Sequence, residues 1–315
     1  MPQIWTMGEL LCEIMRPEAD MPLHKPGVFL GPFPSGAPAI FIDTAARLGC
    51  SAGIIGGVGR DDFGRCIVDR LEADGVDCRF VQPLDGATGV AFVTYFGDGS
   101  RRFLFHFADT PATRATAPAE DIFGDDAAFF HICGCSLMAS ARFSAEILSV
   151  MDRLASRDAK ISFDPNIRPE LLSGGGDAIR WAMAAAHVLL PGEAELIAIT
   201  GCDDLASAIA RCFESPRLEL LVLKRGSRGC TVYTRQERVR LGVYPVEPID
   251  PTGAGDCFDA ALLCGLLAGK SPVEAARLAS AAAALNTAAF GPMEGDISPA
   301  SVAALMAQTA MTKGE

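Results

Sequence analysis

Residues 249–263, IDPTGAGDCFDAALL, place a glycine-rich turn and two acidic residues directly before an apolar run with helical spacing. One interpretation is a connecting loop in which Asp256 caps a helix that begins near Phe258. The other is an anion site, because the backbone N–H groups of residues 253–255 would point out of a helix N-terminus, where the helix dipole favours negative charge. Asp256 would then be a carboxylate at the mouth of that site.

The composition is typical of a folded α/β protein and excludes some partners. A chain of 315 residues suits one large domain, and half of its residues are hydrophobic, which allows a sizeable core. The net charge of −12 argues against nucleic acid or an anionic membrane as the partner. We expect a cytoplasmic protein, because the 11 cysteines are scattered, no signal-peptide pattern is present, and no apolar stretch reaches the ~18 residues of a membrane span.

From about residue 115 the chain alternates apolar strands with helical segments. The strand candidates are AAFFHICG, KISFDPN, HVLLPG and LELLVLKRG. This rhythm predicts βαβ crossovers and an α/β fold with a mostly parallel central sheet flanked by helices. The proline-rich segment 9–35 and the hairpin-like segment 89–107 do not follow it. They predict a small β-sheet lid within a single domain that spans residues 1–315.

Polar loops are expected at one edge of this sheet. In open parallel sheets, ligands bind beyond the carboxyl ends of the strands, where we expect the segments 164–170, 191–195 and 224–229. Phosphoryl transfer requires positioning, stabilisation of charge on the moving group and a base for the acceptor hydroxyl. The amides of residues 253–255 could stabilise that charge, and Asp256 could accept the proton.

Two long motifs resemble one known family. The stretch DPTGAGDCFDAALL (250–263) resembles the second signature of the ribokinase/PfkB family of carbohydrate kinases, and residues 35–64 resemble its first signature. The resemblance runs from Gly8 to about Gly291 with both motifs in the right order. It implies a ribokinase-like fold with a lid, and an ATP-dependent sugar kinase that uses Mg²⁺ and a monovalent cation such as K⁺.

The resemblance also implies a role for individual residues. The catalytic set is Asp256 as the base, the amides of Gly253, Ala254 and Gly255 as the anion hole, and Arg168 near the phosphates. Sugar contacts are expected from Glu13, Gly36, Ala37, Asn166, Asp256 and, on the predicted lid, His106. Nucleotide contacts are expected from Lys224, Gly226, Ser227, Gly229, Gly253, Gly255 and Asn286. Glu195 would hold Mg²⁺ through water, and Asp250 and Thr252 would hold the monovalent cation.

The departures from the family pattern bear on the substrate. Ile40 and Gly192 stand where the family usually has asparagine. Phe107 stands where 2-keto-3-deoxygluconate kinases tend to have a carboxylate-binding arginine, and we expect Arg101 and Arg102 to be out of register with it. These departures favour a neutral ketohexose such as tagatose or fructose over 2-keto-3-deoxygluconate or ribose.

Other interpretations stay open at this point. A nucleoside kinase could stack its base on the phenylalanines of segment 103–107, and a non-catalytic sugar or nucleotide sensor could keep the same fold. Glu13 and Glu195 could be surface charges, and Arg168 a surface ion-pair partner. Exposed lid strands predict a homodimer in which two lids cover each other's edges.

Overall fold

The computed structural model, which describes residues 1–119, 123–167 and 176–314, contains two β-sheets and the helices around them. The strands are β1 (Ile4–Met7), β2 (Leu11–Met15), β3 (Leu30–Ser35), β4 (Ala52–Gly59), β5 (Asp77–Leu84), β6 (Gly89–Tyr95), β7 (Arg101–His106), β8 (Phe129–Cys133), β9 (Lys160–Asp164), β10 (Val188–Leu189), β11 (Leu220–Lys224), β12 (Cys230–Tyr233) and β13 (Arg238–Leu241). The helices are α1 (Ala37–Arg47), α2 (Asp62–Ala73), α3 (Gly134–Ala139), α4 (Ala141–Ala155), α5 (Gly176–Ala185), α6 (Glu193–Thr200), α7 (Leu205–Cys212), α8 (Ala254–Leu267), α9 (Pro272–Thr287) and α10 (Pro299–Gln308).

The large sheet has nine strands in the order β13-β12-β11-β10-β9-β8-β1-β4-β5. The strands from β11 to β5 are parallel, and β12 and β13 extend one edge in antiparallel pairing. Every residue of β4 is buried, as expected for a strand covered on both faces. Helices α1, α8 and α9 contribute to the core on one face, and α4, α5 and α7 to the core on the other. The predicted mostly parallel α/β sheet is confirmed.

The small sheet has the order β3-β2-β6-β7. Its central pair, β2 and β6, is parallel, and both outer pairs are antiparallel. All four strands lie within the segments 9–35 and 89–107, so the predicted β-sheet lid is confirmed. No helix in the described parts of the chain is long and apolar enough to cross a bilayer.

Helix α8 begins at Ala254, so the prediction of a helix that starts near Phe258 is wrong. Gly253 is the N-cap residue, with φ +77°, and a Cβ built on it would lie 2.4 Å from the Pro292 carbonyl oxygen. Glycine adopts this backbone conformation without the steric cost of a side chain, so the chain turns into the helix here. Asp256 is therefore the third residue of the helix and not its cap.

Candidate active site

A cavity of about 290 Å³ lies between the lid sheet and one end of the large sheet. Strands β2 and β7 line it from the lid, and the loop after β9 and the N-terminus of α8 line it from the large sheet. The cavity brings together most of the predicted site residues: Glu13, Gly36, Ala37, Asn166, Glu195, Lys224, Gly226, Thr252, Gly253, Gly255 and Asp256. Arg168, a predicted catalytic residue, lies outside the described residues.

The N-terminus of α8 presents an acid beside backbone donors. The Asp256 side chain is buried, and its Oδ1 lies 3.4 Å from Nδ2 of Asn166, which donates to it. The Ala254 amide is 3.4 Å from the Pro251 carbonyl oxygen, a long hydrogen bond. Among the described residues, the Gly253 and Gly255 amides have no hydrogen-bond acceptor, as expected for the first turn of a helix. These amides can bind an anion next to a carboxylate.

The lid side of the cavity contains a second polar group. Glu13 on β2 is buried, and its Oε1 accepts a 2.7 Å hydrogen bond from the Ser35 hydroxyl. The surface-charge interpretation of Glu13 is therefore wrong. Gly36 has φ +105°, and a Cβ on it would lie 2.3 Å from the backbone oxygen of Glu9, so this close approach requires glycine.

Sequence reasoning missed Glu9. Its buried carboxylate lines the cavity and accepts hydrogen bonds from the Cys135 thiol, at 3.2 Å, and from the Ser136 hydroxyl. A signal was available, because a second acidic residue stands four positions before Glu13 in the otherwise apolar stretch GELLCE.

Aromatic rings on the lid cover the cavity. Phe103, Phe105 and Phe107 all line it, and neighbouring ring centroids are 5.4 Å apart. His106 lies on the opposite, exposed face of β7, where its ring contacts Phe92 with a centroid separation of 5.9 Å. The prediction that His106 contacts the sugar is wrong, because side chains alternate between the two faces of a strand.

Arg101 also faces the cavity. Its Nη1 donates to the Thr252 hydroxyl at 3.2 Å, and the Tyr95 hydroxyl is 3.2 Å from the same oxygen. The prediction that Arg101 and Arg102 are out of register with Phe107 is correct for Arg102, which is exposed. It is wrong for Arg101, because residues an even number of positions from Phe107 lie on the same face of the strand. A lid cation therefore lies beside the anion site.

Glu195 connects two loops at the rim of the large sheet. Its Oε2 accepts from the Gly192 amide at 2.7 Å, and its Oε1 accepts from the Ile167 amide at 2.9 Å. Burial, together with the nearby Asp164 carboxylate, raises the pKa of Glu195 above its ordinary value. The surface-charge interpretation is wrong here too. Across residues 1–119, 123–167 and 176–314, no group of three or more His, Cys, Asp or Glu side chains could hold a metal ion.

The segment before α8 is fixed by buried hydrogen bonds. The Asp250 carboxylate accepts from the Thr252 amide at 2.9 Å and from the Gly291 amide at 3.0 Å. Asn286 is fully buried, and its Nδ2 donates to the backbone oxygens of Thr252 and Pro292. Asn286 therefore fixes this segment, and the prediction that it contacts the adenine is wrong because its side chain has no exposed surface.

Only part of the segment 224–229, which was predicted to contact the nucleotide, lies at the cavity. Lys224 and Gly226 line the cavity, whereas Ser227 is exposed on a short 3₁₀ turn. Gly229 has φ +85°, and a Cβ on it would lie 2.1 Å from the Leu241 carbonyl oxygen. Gly229 thus serves the turn between β11 and β12, and neither Ser227 nor Gly229 lines the cavity.

The pfkB family carbohydrate kinase pattern matches residues 32–298. The chain belongs to this family. This chain is 35% identical over 265 residues to fructokinase-1 of Oryza sativa subsp. japonica, and the alignment covers 82% of this chain and 81% of the relative. It is 32% identical over 301 residues to a fructokinase of Salmonella typhimurium, covering 92% and 95%. The family and the carbohydrate kinase activity predicted from the two signatures are confirmed.

Solved structures agree with this fold. An E. coli protein provisionally called Ribokinase II, crystallised with ATP and Mg²⁺, superposes with a TM-score of 0.90 at 36% identity, covering 98% of this chain and all of that one. A fructokinase from Vibrio cholerae O395, crystallised as a double mutant with fructose, ADP and potassium, gives 0.84 at 25% identity, covering 97% and 98%.

Proposed function

We propose that this carbohydrate kinase transfers the γ-phosphoryl group of ATP to a hydroxyl of a ketohexose of the fructose or tagatose type. The observation that carries the proposal is a single cavity lined by the buried Asp256 carboxylate, by Gly253 and Gly255 at the start of α8, and by the polar lid residue Glu13. The likeness to fructokinases at 32–35% identity supports the substrate class.

The proposed reaction needs few protein groups. The sugar hydroxyl attacks the γ-phosphorus, its proton passes to an Asp256 oxygen, and the bond from phosphorus to the β–γ bridging oxygen breaks to release ADP. The Gly253 and Gly255 amides stabilise the charge on the transferring oxygens. A carboxylate with an ordinary basicity suffices, because the proton moves late in a loose transition state.

The lid supports a neutral substrate. Glu13 and Asn166 can bind sugar hydroxyls, and the rings of Phe103 and Phe105 can pack on the carbon face of the sugar. A keto-deoxy acid would direct its carboxylate toward Phe107, which offers no donor, and the lid cation Arg101 donates to Thr252. A neutral ketose therefore fits this wall better.

The site also has residues that fit the metal ions of the reaction. The Glu195 carboxylate lines the cavity with one further lone pair on each oxygen, and Mg²⁺ bound to nucleotide phosphates needs few protein carboxylates. Asp250 and Thr252 would hold a monovalent cation next to Gly253. When bound, these ions supply positive charge to the phosphate oxygens.

The outer face of the lid supports a homodimer. Val28, Phe29, Leu30 and Leu104 are 61%, 37%, 40% and 46% exposed on or next to strands β3 and β7. Both strands are edges of the four-stranded sheet, and unpaired edges invite pairing with a second chain. We place this homodimer in the cytoplasm, where the cysteine thiols of the chain would stay reduced.

Sugar-dependent ADP release tests the proposal. Purified enzyme with Mg·ATP would be offered fructose, tagatose, ribose, 2-keto-3-deoxygluconate and adenosine, with a sugar-free reaction as the control. We expect the highest kcat/KM with a ketohexose. A preference for the keto-deoxy acid or the nucleoside would overturn the substrate class, and sugar binding without turnover would overturn the kinase.

A further inference from the structure

Three charged residues, two of them buried carboxylates, lie at the base of the cavity. Lys224, the last residue of β11, places Nζ 2.9 Å from Oδ2 of Asp164 and 3.0 and 3.1 Å from the two oxygens of Asp259. The three side chains are 17%, 4% and 0% exposed, respectively. They join β11, β9 and α8, which are the elements that carry the nucleotide loop, Asn166 and Asp256.

This triad is a costly way to fill a core. Buried ion pairs are weak evidence for stability, because desolvation of the charges can exceed their attraction. Burial alone would lower the pKa of the Lys224 ammonium, but the Asp164 and Asp259 carboxylates outweigh burial and raise that pKa above its ordinary value. The structure thus maintains a permanent positive charge at this place, which suggests a use for that charge.

One hydrogen of the ammonium remains for a ligand. The two Asp259 oxygens share a carbon and subtend a narrow angle at Nζ, so they accept one bifurcated N–H, and Asp164 accepts another. The third N–H has space on the cavity side. Nζ lies 3.7 Å from where a Cβ on Gly255 would stand, at the N-terminus of α8.

The distribution of charged side chains around the cavity also indicates that the Lys224 ammonium binds the ligand. Five carboxylates line it: Glu9, Glu13, Asp164, Glu195 and Asp256. Among the described residues, the cationic side chains that line the cavity are Arg101 and Lys224. Arg101 lies on the lid, where it donates a hydrogen bond to Thr252. A nucleotide triphosphate in this acidic site needs a cation on the large-sheet side, which Lys224 supplies.

We propose that Lys224 is a catalytic residue that contacts the γ-phosphoryl group of ATP during transfer, and that Asp164 and Asp259 are positioning residues that hold its ammonium at α8. This role rests on the proposed kinase function. It differs from a general nucleotide contact, because it concerns the phosphate that ADP lacks.

The experiment compares ATP with ADP. For Lys224→Met we expect ATP binding, measured by calorimetry without sugar, to weaken at least about tenfold while ADP binding is unchanged. We expect kcat to fall by about a hundredfold or more, as for other donors to a transition-state oxyanion. Asp259→Asn should lower kcat less and leave ADP affinity unchanged. The control is Lys160→Met, which removes an exposed lysine paired with Glu219 and should change none of these values.

Two results would overturn the proposal. One is a folded Lys224→Met enzyme that retains its kcat within about threefold, well short of the expected loss. The other is an equal loss of ATP and ADP affinity. Lys224→Met alone leaves the Asp259 carboxylate without its cation and could prevent folding. In that case the double variant Lys224→Met/Asp259→Asn, which removes this charge, must show the same selective loss of ATP binding. A wild-type enzyme that releases no ADP with any sugar would refute the proposed function, while the binding comparison would still test Lys224.

Discussion

At the scale of single residues, glycine conformation sets the geometry of the transfer site. Gly253 turns the chain into α8, and Gly36 lets the backbone approach Glu9. Neither position tolerates a side chain, because each combines a positive φ with a carbonyl oxygen within 2.4 Å of the Cβ position. The amides and the carboxylate of the site therefore depend on residues that have no functional group of their own.

Gly253→Ala should reduce both stability and activity. We expect a loss of about 1–3 kcal/mol in the free energy of unfolding from backbone strain. We also expect a fall in kcat of about a hundredfold, because the amides of α8 shift relative to the phosphoryl group. The matched control is Gly49→Ala, where φ is +88° but no atom lies within 4 Å of the Cβ position. Denaturant unfolding and steady-state kinetics measure both effects, and a Gly253 variant with the kcat of the control would contradict this account.

His131 should make the fold sensitive to acid. It is fully buried against Phe41, with ring centroids 3.9 Å apart, and burial lowers the pKa of its imidazole to about 3. The unfolded chain binds a proton below about pH 6.5, so this group costs stability as pH falls from there toward 3, by up to about 1.4 kcal/mol per pH unit. Replacing it in His131→Phe should flatten the pH dependence of the unfolding free energy by that amount. An unchanged slope would show that His131 takes up its proton in the folded state.

The sequence predicted site residues that lie inside the two motifs, but not the contacts that these residues make with distant parts of the chain. The signatures predicted Asp256, Gly253 and Gly255, which the structure places at the cavity, because local spacing defines a helix N-terminus. Asp259 was missed because its role depends on Lys224 and Asp164, which are distant in the chain. The nucleotide role of Asn286 was wrong for the same reason, since only the packing shows that its amide binds two backbone oxygens.

At the scale of elements, the first signature positions the lid. Asp61 is the N-cap of α2, and its carboxylate accepts from the Gly64 amide at 2.8 Å. It also accepts from the amide and the hydroxyl of Thr88, immediately before lid strand β6. One side chain thus joins the start of α2 to the base of the lid.

Asp61→Ala should separate this lid function from helix capping. Loss of an N-cap costs about 1 kcal/mol, and we expect the same loss in the control Asp204→Ala, which caps α7 away from the lid. Only Asp61→Ala should also change kcat and the KM for the sugar together, because it detaches the base of the lid from α2. Thermal unfolding and kinetics of both variants measure this, and equal kinetics in the two would contradict a role of Asp61 in the lid.

Two of the strands that prediction missed have a weak sequence pattern. The apolar strands of the parallel sheet were found because they are continuously hydrophobic. Edge strand β5 is partly exposed along its length and has no clear alternation, and β3 lies in a proline-rich segment. These strands depend on pairing with β4 and β2 rather than on their own sequence.

At the scale of the whole molecule, the lid connects the active site to the proposed dimer. The inward face of β7 carries the phenylalanines of the cavity, and its outward face carries Leu104 and His106. A partner that covers the outward face would hold the inward face in place over the sugar. Assembly and substrate binding should therefore change together.

Leu104→Glu should convert the dimer into a monomer. A charge on this apolar face opposes its burial, and we expect sedimentation to give the mass of one chain with a raised KM for the sugar. The control is Trp181→Glu, which puts the same charge in place of an apolar side chain that is 62% exposed on α5. A monomeric wild-type enzyme, or a dimeric Leu104→Glu variant, would contradict the lid interface.

The most direct test of the central claim is the kcat of Asp256→Asn with Mg·ATP and saturating ketohexose. If Asp256 accepts the proton of the sugar hydroxyl, kcat should fall by at least about a hundredfold, while the affinity for ATP changes little. A variant that retains near-full kcat would contradict the claim that this carboxylate, beside the amides of α8, is the base of the reaction.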